Sequence, residues 1–255
     1  MSSIIKVDNI QDQAGNNIIN ESGGTITIGV AGNTVSFASN VSFSSLTLAG
    51  NLSVDSGTIK LDGNYPTGSG NVALGDAALD DGSLSGGCNT AIGSCSMTAN
   101  TSGNRNTAVG RTSLVANTTG SCLTALGHGT LASNVDGNFN TALGYGVLNS
   151  NVSSDYNTGV GYNALVVNTT GASNTSVGVQ SLCKNTTGAS NVALGRYALS
   201  ENTTADDNVA IGRSSLSVNT TGANNTAVGK DALGANTTGN CNTAIGKDAL
   251  DANTT

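Results

Sequence analysis

NTAVGRTSLVANTTGSC (106–122) is one full period of this chain, and its repetition decides the fold. The opening phrase, Asn-Thr-Ala-aliphatic-Gly or a close variant, occurs eleven times between Asn71 and the C-terminus. From the second occurrence onward it returns every 17 residues. Its glycine falls at Gly75, Gly93, Gly110, Gly127, Gly144, Gly161, Gly178, Gly195, Gly212, Gly229 and Gly246. Four residues after each glycine stands a leucine, from Leu79 to Leu250, with Met97 the one substitute. Three residues further comes an asparagine: Asn100, Asn117, Asn134, Asn151, Asn168, Asn185, Asn202, Asn219, Asn236 and Asn253. A fixed short period means one structural unit stacked on copies of itself, each touching mainly its neighbours.

Residue choice separates the candidate units. A long helix fits poorly, because Thr-Thr-Gly or a relative recurs in most units and puts β-branched residues beside a residue that costs a helix about 1 kcal/mol. A single helical turn over KDALGA (230–235) is the most a helix can claim. Leucine-rich repeats also stack asparagines but need several large apolar residues per unit. Here there are two, the aliphatic before the glycine (Ile92, Val109, Leu126, Leu143, Val160) and the lone leucine. The expectation is therefore an all-β fold, a parallel β-solenoid of 17-residue coils, with Asn-Thr-Ala-Val-Gly as a short strand whose copies stack in register. Eleven coils at that strand spacing make a rod of about 50 Å.

Along the strand, the threonine and the aliphatic share one face and the alanine takes the other. Two large apolar side chains are few for 17 ordered residues, so backbone ladders and burial of one wall against another chain are both expected to contribute. The glycine column (Gly110, Gly127, Gly144, Gly161, Gly178, Gly195, Gly212 and Gly229) suits a positive φ at a corner or a close approach of backbones. The asparagine column (Asn117, Asn134, Asn151, Asn168, Asn185, Asn202, Asn219 and Asn236) suits a ladder in which each amide bonds the copies above and below.

The rest of the chain divides around this array. Residues 1–22 read as a polar segment suited to attachment. Residues 23–63 carry alternating runs, TITIGV (25–30), TVSFAS (34–39), VSFSSLTL (41–48), LSV (52–54) and TIKL (58–61), which predict short strands. Residues 64–70, with Pro66 the only proline, form a linker, and 71–255 hold the eleven units, the last three residues short of a full period.

With 10% charged residues and a net charge of −7, the composition offers no basic footprint for nucleic acid and none for an anionic membrane. No apolar run is long enough to span a bilayer, and MSSIIKVDNIQD lacks the basic start and apolar core of a secretory signal. A soluble chain without membrane insertion is the expectation. Cys88, Cys95, Cys122, Cys183 and Cys241 follow no metal-ligand or redox spacing, so free thiols are expected. His128 is the only histidine, and nothing around it composes a catalytic site. The chain is read as a non-enzyme without metal or cofactor.

One column varies in a way that suits recognition. The residue after each repeat glycine reads Asp76, Ser94, Arg111, His128, Tyr145, Tyr162, Val179, Arg196, Arg213, Lys230 and Lys247. Within it, Arg111, His128, Tyr145 and Tyr162 make a weak glycan-contact stripe, aromatic rings with a cation beside them. Tolerated variation at an outward turn is the plainer reading of the same column.

The phrases NTAVG, NVALG and NTAIG, each followed by Ala or Ser and then Leu, resemble the YadA-type head repeat of trimeric autotransporter adhesins. The likeness covers 71–255. It implies a left-handed parallel β-roll in which three chains pack about one axis, with Thr107 and Val109 at the two apolar positions of the family unit. An inward threonine column, as that alignment suggests, would exclude an ice-binding solenoid, which needs threonines outward. The Leu-x-x-Asn-Thr-Thr-Gly half and the 17-residue length depart from the shorter family unit. The opening IIKVDNIQDQAGNNIINESGGTITIG is similar to the start of tail-fibre proteins of marine tailed phages. That similarity implies a homotrimeric virion fibre that joins other tail proteins through its N-terminus and supports contact with host-surface glycan. A bacterial surface adhesin or extracellular filament is the alternative, and an ice-binding solenoid comes third.

Overall fold

A computed structural model of the chain describes Asn9–Gln11, Asn17–Ser22 and Thr25–Ile28 as strands, together with residues 69–255. The chain divides into two compact units, Met1–Thr58 and Ile59–Thr255.

In the first unit, β1 (Asn9–Gln11), β2 (Asn17–Ser22) and β3 (Thr25–Ile28) form an antiparallel sheet in the order β1-β2-β3. Ile10 aligns with Ile19, and Ile19 with Ile28. The segment 1–22, read from composition as polar attachment sequence, thus contains two strands. Gly23 and Gly24, between β2 and β3 in sequence, are a pair favoured at tight hairpins. Of the predicted runs only TITI (25–28) falls in a described strand. The runs at 34–39, 41–48, 52–54 and 58–61 and the linker proline lie outside the described residues.

The second unit is a parallel β-solenoid. Its strands, β4 (Val72–Leu74) through β14 (Thr243–Ile245), make one 11-stranded sheet in strict chain order. Register is uniform, with threonine or valine stacked in one column, alanine in the next except at Gly159 and Ser176, and aliphatics in the third; Val209, Ala210 and Ile211 pair with Thr226, Ala227 and Val228. Most strands span three residues, but β8 (Thr141–Tyr145) and β9 (Thr158–Tyr162) extend to five and pair through Tyr145 and Tyr162. Among the described residues there is no helix; KDALGA (230–235) is turn, not a helical turn.

The inside of each coil is small. Alanine of the strand points inward, as does the leucine, and away from the two ends of the stack both are buried, for example Ala142 and Leu148. The remaining interior positions are Ser, Ala, Thr or Val three residues after the glycine, and two asparagines. The sequence counts the aliphatic before the glycine as one of two large apolar residues per unit and puts it on one face with the threonine, which the family resemblance suggests is inward. Both point outward instead: Leu126 and Leu143 each retain 41% exposure and Ile211 37%. The reason is volume. Alanine lies close above Leu and Asn in a coil this thin, and exchanging the two faces would demand room for a second branched side chain per coil.

The corner glycine is held by two requirements at once. Gly161 has φ +130°, and a Cβ there would lie 2.6 Å from the carbonyl oxygen of Gly178 in the next coil. Other residues in the coil also adopt left-handed backbone. In 106–122 these are Thr112, Leu114 and Cys122, with φ of 55°, 51° and 59°. Bulky residues resist this region, and hydrogen bonds to neighbouring coils hold them there. Thr112 and Cys122 donate to Ser94 and Asn104 of the preceding coil at 3.0 and 2.9 Å, while Leu114 donates to Thr130 of the following coil at 3.0 Å.

Candidate functional site

The interior asparagines form two different ladders. In the first, each side-chain amide donates to the Oδ1 of the copy one coil earlier: Asn117 to Asn100 at 2.8 Å, Asn134 to Asn117 at 2.8 Å, Asn151 to Asn134 at 2.9 Å, Asn168 to Asn151 at 3.2 Å. The file continues through Asn185, Asn202, Asn219 and Asn236 to Asn253. The second ladder is the phrase-opening asparagine, whose structural part the sequence reading did not single out. Here the Oδ1 accepts the backbone N–H one coil on, as in Asn106 to Asn89 and Asn174 to Asn157, both 2.9 Å.

One carbonyl joins the two. Gly188 O accepts from Asn174 and from Asn185, each at 2.8 Å. Its column is glycine except at Ser154 and Ala205, and Asn-Thr-Thr-Gly encodes this junction. The first threonine of that motif adds a third rank, its hydroxyl donating to the next coil's carbonyl, as in Thr186 to Thr203 at 3.0 Å. Leu123 replaces an asparagine in the second ladder and is buried there; Gly137 O still accepts from Asn134, but the leucine side chain offers no acceptor to the Asn140 N–H one coil on. Among the described residues no buried side-chain nitrogen or oxygen lacks a partner. These columns are architecture, closed to ligands.

The surface that remains open is the outward strand face. Its two rows run the length of the sheet: Val72, Thr90, Thr107, Thr124, Thr141, Thr158, Thr175, Val192, Val209, Thr226 and Thr243 in one, and Leu74 through Ile245 in the other. Strand spacing of about 4.8 Å sets the repeat of both rows.

Two exposed columns border this face. On the far side of the glycine stand Arg111, His128, Tyr145 and Tyr162, brought together as neighbours. Arg111 Nη1 lies 3.4 Å from His128 Nε2. The His128 and Tyr145 rings are 5.2 Å apart and 8° from parallel, and Tyr145 and Tyr162 are 5.5 Å apart and 15° from parallel. Near-parallel rings this close overlap as offset stacks. Their faces therefore meet one another, and the column presents ring edges and the two tyrosine hydroxyls.

Further along, Arg196 lies 4.6 Å over the Tyr197 ring. Arg213 and Lys230 reach Asp231 at 3.7 and 3.0 Å, and Lys247 reaches Asp248 at 2.8 Å. The Lys247 ammonium holds the Asp248 carboxyl below its usual range, and Asp248 in turn raises Lys247.

The opposite border is the last residue of each coil: Cys88, Arg105, Cys122, Phe139, Tyr156, Ser173, Ser190, Asp207, Asn224 and Cys241. Sequence reading passed over its second aromatic step. Phe139 and Tyr156 stack at 5.2 Å and 1°, both well exposed. The signal was Phe139 and Tyr156 recurring 17 residues apart. The cysteines are free, and burial raises the Cys183 thiol above its ordinary value.

Among the described residues no group of His, Cys, Asp and Glu has the arrangement of a metal site, and no helix is long and apolar enough to cross a membrane. Comparison with protein-family models, with curated proteins and with solved structures found no match to this chain.

Proposed function

We propose that this chain is the shaft of a homotrimeric fibre on a phage virion, a rigid spacer that supports host-surface attachment and joins its particle through the N-terminal region. The observation that carries the reading is the outward strand face. Eleven stacked pairs, threonine or valine with an aliphatic, form a continuous, half-exposed apolar wall far longer than an isolated soluble chain ordinarily displays. Side-by-side packing of copies about an axis along the stack covers that wall in every coil at once. The interior supports the spacer part: its ladders repeat one surface and set length without building a pocket. The likeness of the N-terminal sequence to tail-fibre proteins supports the virion part.

Light scattering and native mass measurement on the full chain test the assembly. The expected result is a three-chain species that resists dilution, with Leu126→Asp plus Leu143→Asp giving folded monomers. A wild-type monomer at micromolar concentration would overturn it. Removing residues 1–63 should leave a folded solenoid that no longer enters particles.

A second reading draws on the outward threonines. A flat rank of threonines beside a rank of aliphatics is the kind of surface that orders water, so ice binding would follow if the chain stays monomeric. Thermal hysteresis measured on the same sample separates the two, since a face covered by other copies cannot touch ice.

A further inference from the structure

We infer that Arg196, Arg213, Lys230 and Lys247 form a binding rank for an acidic polysaccharide, a linear sugar polymer that carries a carboxylate on each ring. The inference goes beyond the fibre reading above and does not depend on it.

The four cations follow the corner glycine in four consecutive coils. Backbone hydrogen bonds fix them on successive rungs: Ser214 N–H donates to the Arg196 carbonyl at 2.9 Å, Asp231 N–H to Arg213 at 3.0 Å and Asp248 N–H to Lys230 at 2.9 Å. Each step is one strand spacing, about 4.8 Å, so the rank runs straight for about 14 Å. All four residues are exposed. The fold does not ask for charge at this position, since earlier coils place Asp76, Ser94, Tyr162 and Val179 there. Like charges on neighbouring rungs also repel one another.

Residues 69–255 hold seven Lys and Arg against eleven Asp and Glu, yet four of the seven cations stand in this file. Among the described residues two carboxylates pair with it. Asp231 is shared between Arg213 at 3.7 Å and Lys230 at 3.0 Å, and Asp248 meets Lys247 at 2.8 Å. Arg196 lies over the Tyr197 ring instead. Four positive charges therefore face two negative ones on a chain of net charge −7. At 0.1 M salt, charges beyond about 10 Å are screened, so an approaching anion meets the rank before it meets the total.

Charge complementarity calls for an anionic partner, and the geometry narrows it. A straight file of single charges matches a linear polymer with acids at regular intervals, along which weak ion pairs act together. Arg196 and Arg213 supply planar forks that take a carboxylate through two N–H groups. Single-stranded nucleic acid relies on aromatic faces for base stacking, and the ring beside the rank, Tyr197, already has Arg196 over its face. A polymer of sugar carboxylates needs no such platform.

Titration calorimetry of the full chain with polygalacturonate at low salt tests it, with the methyl-esterified polymer and poly(dT) as the other arms. Polygalacturonate should bind, and added salt should weaken it. The neutral ester and poly(dT) should each bind more weakly by about tenfold or more. Arg196→Gln with Arg213→Gln should cost about tenfold in affinity, whereas Arg105→Gln with Lys184→Gln, the same change in net charge away from the rank, should stay within about twofold of wild type. Asp231→Asn with Asp248→Asn frees the cations and should tighten binding severalfold. All three double variants alter surface side chains and should melt like wild type. No binding of polygalacturonate, equal losses from the two pairs of cation substitutions, equal binding of the ester, or poly(dT) binding as tightly as polygalacturonate would each overturn the inference. Light scattering on the same samples reads assembly separately, so failure of the rank leaves the fibre reading standing.

Discussion

The two faces of one strand behave oppositely. Inward, the column Ala91, Ala108, Ala125, Ala142, Gly159, Ser176, Ala193, Ala210, Ala227 and Ala244 never exceeds the size of serine and is closed to solvent. Outward, one residue away, the neighbouring row runs through Ile, Val and Leu and stays half open. In most small domains the larger apolar residue goes inside. Here a coil that is narrow and filled by one leucine and two asparagines has no space for it, so the larger residue becomes surface. This coil is therefore held mainly by ladders, with its larger apolar residues directed outward.

The sharpest way to break the contrast is at the corner between the faces. Gly161→Val places a branched side chain at φ +130° against the backbone of Gly178, which neither face can relieve. We expect loss of the cooperative melt or a destabilisation beyond about 4 kcal/mol per chain, measured by circular dichroism. Leu165→Ala empties the one large interior position of its coil and should cost about 3 kcal/mol. If instead it melts like wild type, the leucine column is not the core.

The ladders come next in size. Asn185→Ala removes the acceptor of Asn202 and the donor to Asn168 and Gly188, leaving buried polar atoms unmet at a cost of about 1–3 kcal/mol. Asn185→Leu should cost less than a small cavity-forming change if the first ladder tolerates apolar exchange as the second does at Leu123. Outward, Val160→Thr should move the midpoint of a dilute, monomeric variant by under about 0.5 kcal/mol, while weakening assembly of the unmodified chain.

The smallest effect is expected at the charged rim. Lys184 meets Glu201 at 2.7 Å, and this contact raises the lysine above its ordinary value. A raised ammonium contributes stability below its unfolded pKa of about 10.4 and loses it as pH climbs through the folded value. Lys184→Met should therefore melt within about a degree of wild type at pH 7, and the gap should close above pH 10. A large gap at neutral pH would mean that the rim contributes more than exposed pairs usually do.

Much of this was legible without coordinates, and the reason is periodicity. A 17-residue return of Asn-Thr-Ala-aliphatic-Gly leaves little choice but stacked coils, and identical residues at identical spacing specify register by themselves. The positions of the corner glycine, the leucine column and an asparagine column follow from that same regularity. Alternation along a strand also pairs threonine with the aliphatic on one face.

Which face turns inward is not a property of the strand. It depends on the cross-section of the closed coil, and that is decided by side chains arriving from elsewhere in the period: Leu148 and the asparagines at Asn140 and Asn151 around Ala142. For the same reason only the folded chain showed that the opening asparagine and the Asn-Thr-Thr-Gly glycine meet at one carbonyl, being 14 residues apart in sequence. The aromatic columns divide the same way. Spacing placed His128, Tyr145 and Tyr162 in one file, but whether their rings lie flat for a ligand or stack on one another depends on the distance between coils. At a separation near 5 Å, stacking wins.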